Sequence, residues 1–121
     1  MRTFRYAASK RMEIAGSHQL KLPYGSKCEN LHGHNWIVTV HVGCDELEND
    51  MVIDFTHIKK AVHDKLDHGN LNDIFDFNPT AENIAKWIAD EVSNMKQGVI
   101  CFKVEVQESE GNTATYTNID A

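Results

Sequence analysis

The sequence predicts an α+β fold: an antiparallel four-stranded sheet with two helices on one face. Three observations carry that prediction. Two segments before residue 45 alternate apolar and polar residues with period 2, two segments between 56 and 98 repeat with helical period, and period 2 returns from 99 onward. The 121 residues fit one domain, 1–121. A hydrophobic content of 41% beside 25% charged residues is enough to build a core and excludes a disordered chain.

The opening "MRTFRYAASK" lacks a secretory apolar core and reads as the lead-in to the first strand. Across 11–18, Met12, Ile14, Gly16 and His18 share one phase, with Arg11, Glu13 and Ser17 in the other. "LPYGSK" is a loop. A long strand follows from His32 to Val42, with Trp36, Val38, Val40 and Val42 on its buried face. The first helix spans Thr56 to Leu66, carries Ile58, Val62 and Leu66 as its stripe, and is stopped by Gly69. Thr80 caps the second helix, Glu82 sits near its positive end, and Ile84, Trp87, Ile88, Val92 and Met95 form its apolar stripe up to Gly98. In the strand Val99–Glu108, Ile100, Phe102, Val104 and Val106 are in phase, which leaves Val99 and Cys101 with Ile37 on the opposite face. "SEGN" turns the chain into a last strand near Thr113–Ile119.

Composition also excludes partners. A net charge of −6 argues against a nucleic-acid domain, and no apolar run reaches the roughly 20 residues of a membrane helix. Charge is uneven: residues 1–27 carry +5 and the remainder −11, which fits a small anionic ligand on a local basic patch. Three cysteines with no C-x-x-C pair point to a reducing compartment, so the cytoplasm is expected. Cys44 and Cys101 read as small buried hydrophobes.

Chemistry concentrates in "KCENLHGHNW". Residues two apart on a strand point to the same side, so His32 and His34 continue the buried face of Trp36, and His18 ends that of the first strand. If the two strands form an antiparallel hairpin, the three imidazoles converge. Three neutral nitrogens leave a fourth position open on a tetrahedral zinc ion. Cys28 either completes a closed Cys/His₃ structural site or is a reactive thiol beside an open one. Asp67 and His68 are adjacent in "LDHGNLND" and can orient separately only at a frayed helix end, where one would support a proton-transferring imidazole. Glu108 is a carboxylate at the end of a buried face with no obvious basic mate in the sequence, so a ligand with adjacent N–H donors is its candidate partner.

"GSH" at 16–18, "KCENLHGHNW", "MVIDF", "LDHGNLND", "NPTAENIAKWI" and "VEVQES" occur in the order in which they occur in the 6-pyruvoyl-tetrahydropterin synthase family, which this chain resembles from about residue 12 to 110. The resemblance is strongest to its bacterial branch, the 6-carboxy-5,6,7,8-tetrahydropterin synthases, which share the three-residue separation of Cys28 and His32. It implies the tunnelling fold, in which sheets of three subunits close a β-barrel, as a homotrimer or homohexamer with sites between subunits. It implies Zn²⁺ on His18, His32 and His34, catalysis by Cys28, Asp67 and His68, and pterin contacts from Glu108 with lesser ones from Thr80 and Glu82. The implied substrate is 7,8-dihydroneopterin triphosphate, and the implied products are 6-carboxytetrahydropterin, acetaldehyde and triphosphate. A pyruvoyl synthase that leaves the side chain intact, or a non-catalytic zinc module with Cys28 as fourth ligand, are the rival readings. One departure is Gly16-Ser17-His18 where many relatives carry Ala-Ala-His, which keeps the ligand.

Overall fold

The computed structural model describes residues 2–120. Its strands are β1 (Tyr6–His18), β2 (His32–Cys44), β3 (Gly69–Asn70), β4 (Ile100–Ser109) and β5 (Asn112–Thr117), in the order β3-β1-β2-β4-β5. The four long strands pair antiparallel, as the alternation predicts. The fifth, β3, is two residues long and runs parallel to β1 at Gly16 and Ser17. It is too short to leave a periodic signal in sequence.

Helices α1 (Phe55–Ala61), α2 (His63–Leu66), α3 (Leu71–Ile74) and α4 (Ala81–Ser93) complete the architecture. Asp54 caps α1 by accepting from the Thr56 amide, and Thr80 caps α4 by accepting from the Asn83 amide. Met12, Ile14, Trp36, Val38, Val40 and Val42 are buried from the strands, and Ile58, Val62, Leu66, Ile84, Ile88 and Val92 are buried from the helices. Each such side chain contributes roughly 1.5–3 kcal/mol of transfer free energy, so the two apolar faces hold the layers together. No helix among the described residues is long and apolar enough to cross a membrane.

Three expectations need correction. The helix expected over 56–66 is interrupted at Val62, and the left-handed residue after it is His68 (φ 60°), not Gly69. Space rather than φ favours glycine at 69, since a Cβ there would lie 2.8 Å from the tip of the exposed Ile74 side chain and 3.0 Å from the Leu66 carbonyl oxygen. The second helix ends at Ser93 with Asn94 as its cap, and Gly98 (φ 83°) belongs to the turn into β4.

The third correction concerns β4. The pairing with β2 shifts between His41 and Val42, which face Lys103 and Cys101, so Phe102 is an unpaired bulge residue. Because side chains alternate with period 2, one extra residue exchanges the faces below it. Val99 and Cys101 are therefore in the core, and Ile100 and Phe102 are half-exposed. Phe102 stacks on Phe4 at 5.4 Å, outside the core. Burial pushes the Cys101 thiol up to about 11, the behaviour of an inert core cysteine.

Candidate metal centre

The β1–β2 register places His18 opposite His32 and Gly16 opposite His34 at one end of the hairpin. This is the convergence that the strand phase predicts. One nitrogen from each of His18, His32 and His34 lies within 4.8 Å of the others. His18 is fully buried, and Trp36 packs edge-on against both His18 (4.9 Å) and His34 (5.2 Å). The Trp36 indole N–H donates to the Gly16 carbonyl at 3.1 Å, which fixes this apolar wall.

The protonation pattern follows from the backbone. His18 Nδ1 lies 2.8 Å from the Pro79 carbonyl and His32 Nδ1 lies 2.7 Å from the Asn30 carbonyl. A carbonyl only accepts, so both Nδ1 atoms carry the proton and both Nε2 atoms carry a lone pair. Those two lone pairs face each other at 3.0 Å. That contact repels unless a proton or a metal ion sits between them. Nitrogens bound to one tetrahedral zinc ion lie about 3.3 Å apart, close to the 3.0 Å of the His18–His32 pair, and the His34 nitrogen stands within 4.8 Å of both. His34 Nε2 is buried and makes no hydrogen bond, a cost that a metal ion would remove. Burial holds the His18 imidazole below its ordinary pKa, against the raising effect of the Pro79 carbonyl. Burial also lowers His34, opposed by Glu108. Both rings are thus kept in the neutral, metal-binding form. The residues fit a divalent cation.

Cys28 is half-buried in a 3-10 turn, Lys27–Glu29, that Ser26 caps. It does not join the three-histidine cluster. Glu108 does have a protein neighbour that the sequence hid: its Oε1 lies 3.3 Å from His34 Nε2, at an angle that makes no hydrogen bond. Glu108 and Glu82 line one cleft of about 320 Å³ beside β5. Thr80 is half-exposed, and its hydroxyl oxygen serves as the α4 cap.

Asp67 and His68 stand at the open edge of β1. Asp67 Oδ1 accepts from the Ala15 amide at 2.9 Å, and the His68 amide donates to the Ala15 carbonyl at 2.7 Å. The Ala15 hydrogen bond holds the Asp67 carboxyl below the usual range. Asp67 Oδ2 lies 3.4 Å from His68 Nε2 and 3.7 Å from His63 Nε2. The His68 ring is 84% exposed and lines a cleft with Ala15, Ser17, His34 and Asn35. His18 is three residues farther along β1, about 10 Å at 3.3 Å per residue.

Comparison with known proteins decides the family. The sequence profile described as 6-pyruvoyl tetrahydropterin synthase matches residues 7–118. This chain belongs to that family. Within it, the chain is 30% identical to the 6-carboxy-5,6,7,8-tetrahydropterin synthase of Bacillus subtilis, over 93% of this chain and 86% of the relative. It is 38% identical to the dihydroneopterin monophosphate aldolase of Pyrococcus furiosus, over 77% and 80%. The solved structure of Caenorhabditis elegans 6-pyruvoyl tetrahydropterin synthase superimposes with a TM-score of 0.74 at 25% identity, covering 98% of this chain and 99% of that one. The fold is therefore the tunnelling fold of the 6-pyruvoyl tetrahydropterin synthase family.

Sequence reasoning missed the Pro79 and Asn30 carbonyls that set the imidazole tautomers, because main-chain acceptors carry no residue signature. The Gly16 departure is tolerable on geometry: a Cβ there would make ordinary contacts of 3.5 Å with Leu71 and Trp36. Gly16→Ala is expected to be neutral or to stabilise by up to about 1 kcal/mol, from the lower backbone entropy of alanine. Thermal melting checks this, and a clear fall in Tm would show that the site needs the glycine.

Proposed function

We propose that the protein is a zinc-dependent lyase that converts 7,8-dihydroneopterin triphosphate and one water into 6-carboxy-5,6,7,8-tetrahydropterin, acetaldehyde and triphosphate. The observation that carries the reading is the pair of imidazole Nε2 atoms 3.0 Å apart, with the orphaned His34 Nε2 beside them and Glu108 within 3.3 Å. It is a three-nitrogen metal centre with a carboxylate at its rim. The carboxy reaction is favoured by the short Cys28–His32 spacing, which the chain shares with the bacterial branch that it resembles.

Bound zinc would supply Lewis acidity toward the substrate side-chain oxygens. The protein's residues do the rest. With the His34 lone pair given to metal, the Glu108 carboxylate is free to accept N–H groups of the pterin ring. Cys28 takes a proton from the side chain as triphosphate leaves. Asp67, held ionised by the Ala15 amide, orients His68 as the partner in proton transfer. Lys27 in the Cys28 turn and Lys21, next to Leu20 whose amide bonds the Cys28 carbonyl, are both exposed and suit the triphosphate, whereas Arg2 is engaged by Asp45.

Assembly belongs to the same proposal. Beyond Gly16 and Ser17, the outer edge of β1 has no strand partner among the described residues, and β5 ends the sheet on the other side. Joining β5 of one copy to β1 of the next would close a barrel and remove both edges. The His68 ring is 84% exposed at the open edge of β1, where its amide donates to the Ala15 carbonyl three residues before His18. A site completed by a neighbour's Asp67–His68 accommodates that placement. Cys28→Ala and His68→Ala variants, each inactive, are then expected to regain partial activity when unfolded together and reassembled. Mixed oligomers seen by native mass spectrometry but inactive would refute the shared site.

Incubation with 7,8-dihydroneopterin triphosphate, followed by mass identification of the pterin, tests the reaction. The carboxylated product supports it, and the pyruvoyl pterin or a shortened hydroxymethyl pterin overturns it. Glu108→Gln is expected to weaken substrate binding at least about tenfold, the loss of one charge-assisted pair worth roughly 1.5–3 kcal/mol. An unchanged KM in a folded variant would remove Glu108 from the substrate site.

A further inference from the structure

Beyond His18 the β1 backbone leaves the sheet, yet its polar groups are paired. The Gln19 amide donates to Asn72 Oδ1 at 2.8 Å, and Asn72 Nδ2 donates to the Gln19 carbonyl at 2.9 Å. Two residues on, the Lys21 amide donates to Asn78 Oδ1 and Asn78 Nδ2 donates to the Lys21 carbonyl, both at 3.0 Å. A carboxamide carries one acceptor and one donor side by side, so each asparagine reproduces what a neighbouring strand residue offers. Two side chains thus prolong the edge that β3 begins at Gly16 and Ser17.

What this pseudo-strand holds is the frame of the candidate site. His18 precedes it, tied to Pro79 next to Asn78. The Leu20 amide, between the two clamped residues, donates to the Cys28 carbonyl at 2.9 Å. Asn78 is itself anchored, its carbonyl accepting from Asn83 Nδ2 at 3.0 Å and from the Thr80 amide at 2.8 Å. Asn72 is anchored by its amide, which donates to Asn70 Oδ1 at 3.2 Å. These bonds lie at the surface, where water can replace a lost partner at little cost in stability. Losing them loosens geometry more than fold.

We infer that Asn72 and Asn78 are positioning residues that hold the Cys28 turn in register with the metal ligand His18. The inference rests on the reading of Cys28 and the three histidines given above. A clamp made by two asparagine side chains leaves no periodic pattern in the sequence.

The test uses the full-length protein loaded with Co²⁺, with Asn72→Ala, Asn78→Ala and the isosteric Asn78→Asp. Asp keeps the acceptor for the Lys21 amide but points an oxygen at the Lys21 carbonyl. Iodoacetamide labelling is mapped by peptide mass for each cysteine, and the visible Co²⁺ spectrum is recorded. Buried Cys44 and Cys101 report global unfolding in the same sample. The expected result is a several-fold change in the Cys28 labelling rate alone, a shifted Co²⁺ spectrum, and kcat lowered roughly ten- to a hundredfold with a smaller change in KM, since misplacement of about 1 Å costs up to that much. If an alanine variant labels at all three cysteines, Asn78→Asp decides. Cys28 labelling and Co²⁺ spectra identical to the parent's overturn the inference. Neither readout needs substrate, so a parent protein that fails to turn over the pterin sinks the catalytic reading separately.

Discussion

Alanine at His32 is expected to remove the metal and the turnover together. His32 supplies one of three nitrogens, its lone pair fixed by the Asn30 carbonyl on the far side of the ring. Loss of an outer-shell partner costs a metal site roughly 10–100-fold in affinity, and loss of a ligand costs more. Two imidazoles and a buried, unpaired His34 Nε2 remain, which is too few donors for retention through purification. The fold should survive, because His32 is only half-buried at the end of β2 while the core lies farther along it. Metal analysis of the purified variant checks this: zinc well below one per chain is expected. Stoichiometric zinc in His32→Ala would remove the residue from the metal set.

Cys28→Ala should separate the two roles the thiol could play. The sulfur stands outside the histidine cluster, on a turn held by main-chain bonds and the Ser26 cap. Alanine leaves those bonds intact, so metal content and Tm are expected to match the parent. Turnover is expected to fall by about 10²–10⁴, the usual worth of a positioned proton-transfer group. The measurement pairs zinc content with kcat on the same preparation. Loss of zinc along with the thermal transition would mean that Cys28 is a fourth ligand in a closed structural site.

The convergence of the three histidines was readable because it is written in strand phase. Alternation puts His18, His32 and His34 on the face of Ile14 and Trp36, and a hairpin register does the rest. The order of strands and helices was legible for the same reason. What failed was geometry that a single residue decides. The β4 bulge at Phe102 inverts the faces of residues 99–102, and nothing in "VICFKVEV" announces it. His68 rather than Gly69 takes the left-handed conformation, because the Ala15 carbonyl captures its amide. The His34–Glu108 approach crosses β2 and β4, whose offset no local pattern specifies. Main-chain carbonyls and asparagine side chains complete the site, and they leave no periodic trace.

Co-product stoichiometry addresses the central claim most directly. Zinc-loaded protein is incubated with 7,8-dihydroneopterin triphosphate, and acetaldehyde and triphosphate are quantified in the same reaction, before and after chelation. The account predicts that the two are released in equal amounts, that release stops when zinc is removed, and that added zinc restores it. Triphosphate released without acetaldehyde, or turnover that persists after complete metal removal, would contradict it.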